Sequence, residues 1–145
     1  MKRIYLDHAA TTPMHEEVIE EMTKCMREVY GNPSSTHVFG REAKAKMELS
    51  RKKIADLLNV SPTEIIFTSC GTEANNLIIR SCVHYLGVER IISSELEHKC
   101  VKETSLEMSK AHGVELVYVK TNSMGEIDYQ DLEYKLKSSD KKTLV

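Results

Sequence analysis

The sequence predicts an α/β fold in which a mostly parallel sheet is flanked by helices. Three observations carry that expectation. Short β-rich apolar runs alternate with longer stretches of helical periodicity from about residue 65 onward. One run, Ile65-Ile66-Phe67-Thr68, shows no polar alternation, as expected of a strand buried on both faces. Gly87 and Gly113 stand just past two helical stretches, where a left-handed residue commonly ends a helix.

The elements follow in order. Ile4-Tyr5-Leu6 reads as a brief extended piece. A helix is expected from about Pro13 to Tyr30, with Thr12 as its N-cap, Pro13 at its first position and Gly31 to end it. Val18, Met22, Cys25, Met26 and Val29 mark one face of that helix. Residues 31–40, GNPSSTHVFG, form a turn-rich loop. The next helix covers roughly Arg41 to Leu58, with Ala43, Met47, Ile54, Leu57 and Leu58 facing inward. Ser61-Pro62-Thr63-Glu64 carries a capping-box pattern, and the strand 65–68 follows. Helices are then expected over about 72–85, 98–112 and 128–137, the last capped by Asp128. Strands are expected over Arg90–Ser93 and Val114–Val119, and Thr143-Leu144-Val145 opens another.

Composition narrows the function classes. The 145 residues are 41% hydrophobic and 29% charged, with no low-complexity tract and no repeat, which fits one soluble globular domain. No run approaches the ~18 apolar residues of a transmembrane helix, and no apolar core follows the basic start Met1-Lys2-Arg3 as a secretory signal would require. A cytoplasmic location is the expectation. Lys plus Arg (20) nearly balances Asp plus Glu (22), for a formal charge of −2, which argues against a dedicated nucleic-acid surface. Cys25, Cys70, Cys82 and Cys100 show neither a C-x-x-C pair nor structural-zinc spacing, so free thiols are expected and no metal site. His98 and Cys100 are two potential metal ligands without further ligands arranged near them in sequence.

Two constellations bear on chemistry. In FTSCGTEANN (67–76), a strand runs through small residues directly into a helix. The first N–H groups of such a helix lack intrahelical acceptors and the end is electropositive, so the turn is suited to cradling a phosphate. Gly71 allows close backbone approach, and the Ser69 and Thr72 hydroxyls can donate. On local sequence alone, the same residues read more readily as an ordinary helix cap by Thr72 or Ser69. The second constellation is SELEHKCV (94–101), which places His98 just past the following strand. In open parallel sheets, ligands collect at that end of the strands. His98 there is either a solvated residue or a ring that stacks on a planar ligand and transfers protons.

With YLDHAATTP (5–13) and GNPSSTH (31–37), these segments appear in an order that resembles the cysteine desulfurases of the aminotransferase class V superfamily. The resemblance covers nearly the whole chain. It implies the N-terminal part of a fold type I pyridoxal-phosphate transferase: residues 1–40 as an N-terminal segment and loop, and 41–145 as the start of the cofactor-binding domain. It also implies pyridoxal 5'-phosphate as cofactor, with Gly71 and Thr72 at its phosphate and His98 stacked on its ring as a catalytic residue. The implied reaction turns L-cysteine into L-alanine and an enzyme-bound persulfide, whose sulfur passes to an iron–sulfur scaffold or another acceptor protein. Homodimers complete the site in that family. Cys70 stands where many relatives have glycine.

In the family, the Schiff-base lysine, the aspartate at the pyridine nitrogen and the sulfur-accepting cysteine follow later strands. No position within 1–145 matches them. By itself the chain is therefore expected to lack desulfurase activity and to leave part of the sheet uncovered. Two other readings share the fold: a class V enzyme of the selenocysteine lyase type, and a non-catalytic module that binds a partner.

Overall fold

The computed structural model describes residues 3–145; the basic start Met1-Lys2 lies outside them. The chain divides into two compact units, one ending at Ile66 and the other running from Phe67 to Val145. None of the helices among the described residues is long and apolar enough to cross a membrane.

The first unit holds α1 (Glu16–Glu28), α2 (Val38–Leu58) and a 3₁₀ turn at Pro62–Glu64. The first helix is shorter than its apolar periodicity implied. Val18 and Ile19 donate their N–H groups to the His15 carbonyl, so the first turn starts there and not at Thr12. His15 makes no side-chain cap; Glu16 and Glu17 instead place negative charge at the electropositive end. Gly31 does not terminate this helix, because α1 has already stopped at Glu28. Its missing side chain answers a close approach: a Cβ there would lie 2.2 Å from the Phe39 carbonyl oxygen.

Helix α2 begins three residues before Arg41, because His37 caps it through Nδ1, which accepts the Gly40 N–H at 3.4 Å. It ends at Asn59, a residue in the left-handed region at φ 55°. Its interior positions are the small ones, Ala43 and Ala55, and Ala55 is wholly buried. Leu57 and Leu58, expected inside, are 86% and 62% exposed. Leu57 lies about 200° around the helix from Ala55, so the two cannot share a face. On α1, Cys25 is half-buried, while Val18, Met22 and Met26 stay exposed. The Ser61 capping box forms as read: its hydroxyl accepts the Thr63 N–H, and Glu64 accepts the Ser61 N–H at 2.7 Å.

The stretch 65–68 is the main departure. It is not a strand among the described residues, and Ile66 is 69% exposed. An extended apolar run becomes a strand only when a ladder partner is beside it. Here the sheet assembles without it, from residues further along the chain.

That sheet organises the second unit, which contains α3 (Gly71–Leu86), β1 (Arg90–Ser93), α4 (Lys99–His112), β2 (Glu115–Tyr118), α5 (Tyr129–Lys137) and β3 (Thr143–Leu144). The strand order is β2-β1-β3 and both pairings are parallel, with Ile91 opposite Leu116 on one side and Leu144 on the other. Central β1 is buried over Arg90, Ile91 and Ile92, as a two-sided parallel strand should be. Ile79 from α3 and Met108 from α4 close over Val88, Ile91 and Val114 to make the core. Arg90 is only 4% exposed; its guanidinium donates to the Lys135 carbonyl at 2.6 Å and pairs with Glu115 at 3.5 Å. Gly87 and Gly113 do end their helices, at φ 65° and 69°, and Asp128 caps α5 by accepting from the Gln130 and Asp131 N–H groups. An α/β unit with a parallel sheet and flanking helices is therefore what the chain forms.

Candidate functional site

Helices α3 and α4 start at the same end of the sheet, and their first turns carry the residues singled out above. At the start of α3, Cys70 is the N-cap in extended conformation, and its side chain makes no cap hydrogen bond. The cap is supplied in reverse. The Ser69 N–H and hydroxyl both donate to Glu73 Oε2, at 2.6 and 2.7 Å. These donors hold the Glu73 carboxyl below the usual range. The Cys70 thiol is also held low, first by the Glu73 backbone N–H and then by the Ser69 hydroxyl.

Gly71 and Thr72 follow, both exposed. Thr72 is the second residue of α3 and not its cap. A Cβ built at Gly71 would meet nothing within 4 Å, so the backbone is open on that side.

At the start of α4, His98 is the N-cap. Its Nδ1 accepts the Cys100 N–H at 3.3 Å, and the ring remains exposed. Cys100 Sγ lies 3.1 Å from the same Nδ1 and receives the Asn75 Nδ2 amide at 3.3 Å. Donation by Asn75, then the contact with His98, and a smaller contribution from the Thr72 hydroxyl hold the Cys100 thiol below its ordinary range. One turn on, the Thr104 hydroxyl lies 2.6 Å from Asn76 Oδ1 and 2.7 Å from the Cys100 carbonyl. Thr104 is buried, so this polar seam fastens the two helices together.

Asn75 and His98 thus meet around one sulfur, that of Cys100. Asn75, Cys100 and Thr104 were not expected as partners. The available signal was weak: two successive asparagines inside a helix, where such residues need a partner, and a Cys–Thr pair at i, i+4 on the next one. The opening segment belongs to the first unit, where the Tyr5 hydroxyl contacts the carbonyl oxygens of Asp7 and Thr11, at 2.9 and 3.1 Å.

The chain as a whole is similar to known proteins. Residues 4–145 match the family described as Aminotransferase class-V. Cysteine desulfurase IscS of Dictyoglomus turgidum is 43% identical over 140 residues, which is 94% of this chain and 35% of that protein. Among solved structures, a NifS-like protein superposes with a TM-score of 0.79 at 40% identity, over 93% of this chain and 36% of its own. The structure of SspA in complex with cysteine superposes equally well, at 0.79 and 30% identity, over 94% of this chain and 39% of its own. The chain spans about a third of the length of the curated relatives it matches. With motif order, parallel sheet and family match all in agreement over 4–145, the chain belongs to the aminotransferase class-V family.

Proposed function

We propose that this chain is the cofactor-binding front of a cysteine desulfurase, which converts L-cysteine to L-alanine and retains the sulfur as an enzyme-bound persulfide. One observation carries the proposal: Asn75 of α3 and His98 at the start of α4 both touch the Cys100 sulfur, at 3.3 and 3.1 Å, so the two strand-end segments that hold Thr72 and His98 lie side by side. The similarity to cysteine desulfurases and to a protein solved with cysteine supports the same choice of substrate.

The residues fit pyridoxal phosphate. The first N–H groups of α3 have no intrahelical acceptor, Gly71 is open on its outer side, and Thr72 and His98 are exposed. Gly71 and Thr72 would bind the phosphate through backbone N–H groups and the Thr72 hydroxyl. His98 would lie against the ring and hold or move a proton near the substrate. When bound, the cofactor supplies an electron sink that makes bonds around the substrate α-carbon labile. Transfer of sulfur to an iron–sulfur scaffold or other acceptor protein, a homodimeric assembly and a cytoplasmic location belong to the same reading. So does the expectation that these 145 residues alone release no alanine, since none matches the family's lysine or sulfur-accepting cysteine.

Equilibrium dialysis against pyridoxal phosphate tests the site. The parent chain is expected to retain the cofactor, and Thr72→Val to weaken retention by roughly tenfold through loss of a charge-assisted hydrogen bond. Equal retention by the two would remove Thr72 from the phosphate site.

A further inference from the structure

His98 caps α4 with its own ring, and the cap constrains the chemistry of that ring. Nδ1 accepts the Cys100 N–H at 3.3 Å. A nitrogen that accepts an N–H must present a lone pair, so the neutral ring carries its proton on Nε2. A second contact bears on the same atom, because Cys100 Sγ stands 3.1 Å from Nδ1. From the other side, the Asn75 amide on α3 donates to that sulfur at 3.3 Å. With a donor already aimed at the sulfur, the thiol hydrogen can turn to Nδ1. The contacts then run in one direction, from the Asn75 amide to the sulfur and from the thiol to the ring, and Nε2–H remains as the ring's donor.

We propose that Cys100, braced by Asn75, is a positioning residue for His98: it holds the imidazole in one rotamer and in the Nε2–H tautomer. The proposal rests on the reading of His98 as the ring that serves the cofactor, and it goes beyond that reading by stating which nitrogen carries the proton. It also gives α3 a second task. The helix that would hold the phosphate also sets, through Asn75, the histidine on its neighbour.

The test is long-range proton–nitrogen correlation NMR on the ligand-free full chain with ¹⁵N-labelled histidine at about pH 7, above the ordinary imidazole range and below the ordinary thiol range, to keep the Cys100 proton in place. His98 is expected to show Nδ1 as a bare acceptor and Nε2 as protonated. Cys100→Ala should shift the tautomer ratio by about fivefold toward Nδ1–H, the effect of one lost hydrogen bond of ordinary strength. Cys100→Ser, whose hydroxyl can donate to the same nitrogen, should restore the parent ratio, which a purely packing role would not explain. Should Cys100→Ala disrupt α4, Asn75→Ala leaves that helix's own sequence intact and should move the ratio in the same direction. A parent His98 in the Nδ1–H form, or an unchanged ratio in both alanine variants, would overturn the proposal. The cofactor reading fails separately: loss of the dialysis difference at Thr72 with the His98 tautomer still dependent on Cys100 would remove the phosphate site and leave the lock standing.

Discussion

A methyl group added at Gly31 would place its carbon 2.2 Å from the Phe39 carbonyl oxygen and 2.9 Å from the Gly40 nitrogen, both backbone atoms that cannot swing aside. The same methyl at Gly71 meets nothing within 4 Å. The two substitutions should therefore separate widely in urea unfolding. Gly31→Ala is expected to cost about 3 kcal/mol through overpacking, and Gly71→Ala to stay within about 0.5 kcal/mol of the parent. Similar losses at both positions would mean that the turn around Gly31 opens to admit the side chain. Residue type alone could not distinguish them. Both glycines precede helical stretches in the sequence, and only the fold-back of Phe39 onto Gly31 makes one of them indispensable.

Three helix ends were legible because their signals are local, whereas Thr12 and Gly31 carry the same kind of signal and bound no helix. Gly87, Gly113 and Asp128 sit where a left-handed cap or a side-chain cap is needed, and each performs that task. Strand 65–68 was misread for the opposite reason: its apolar run is local, whereas pairing depends on residues far along the chain. The leucines at 57 and 58 were misplaced because apolarity does not say which face of α2 meets a neighbour, and Ala55 occupies that face. The segments that carry Gly71, Thr72 and His98 stand out in the sequence, but the meeting of Asn75 and His98 at Cys100 does not, because it exists only once α3 lies beside α4. At this scale the start of α5 carries a pH test. Asp131 accepts the Lys120 N–H at 2.9 Å and Lys135 Nζ at 2.5 Å, and these partners, Lys135 first, hold its pKa down. A depressed carboxylate stabilises the fold fully above its unfolded pKa of about 3.9, and that contribution vanishes as pH falls through the lower folded value. Asp131→Asn should therefore be destabilising at pH 7, and the gap from the parent should close below about pH 4. A gap that persists undiminished in acid would show that the contribution comes from shape and not from charge.

Across the molecule, the two units are built on different cores. The first is stitched around small residues, with Ala55 wholly buried and large apolar side chains such as Leu57 left exposed. The second closes on Met108, also wholly buried, between Ile79, Val88, Ile91 and Val114. Met108→Ala should cost about 3 kcal/mol, read as a fall in the chemical-denaturation midpoint followed through the second unit's amide exchange. A loss under about 1 kcal/mol would mean that the core collapses onto the vacated space. The strand order β2-β1-β3 has a further consequence, for the ribosome. Translation delivers the central strand first and both its neighbours afterwards, the second of them about fifty residues later. At ~5–20 residues per second, β1 waits for several seconds with one hydrogen-bonding edge unclaimed. For that interval Ile91 and Ile92 are a nascent-chain segment for chaperones to shield, and slower decoding between Glu115 and Thr143 would lengthen their exposure.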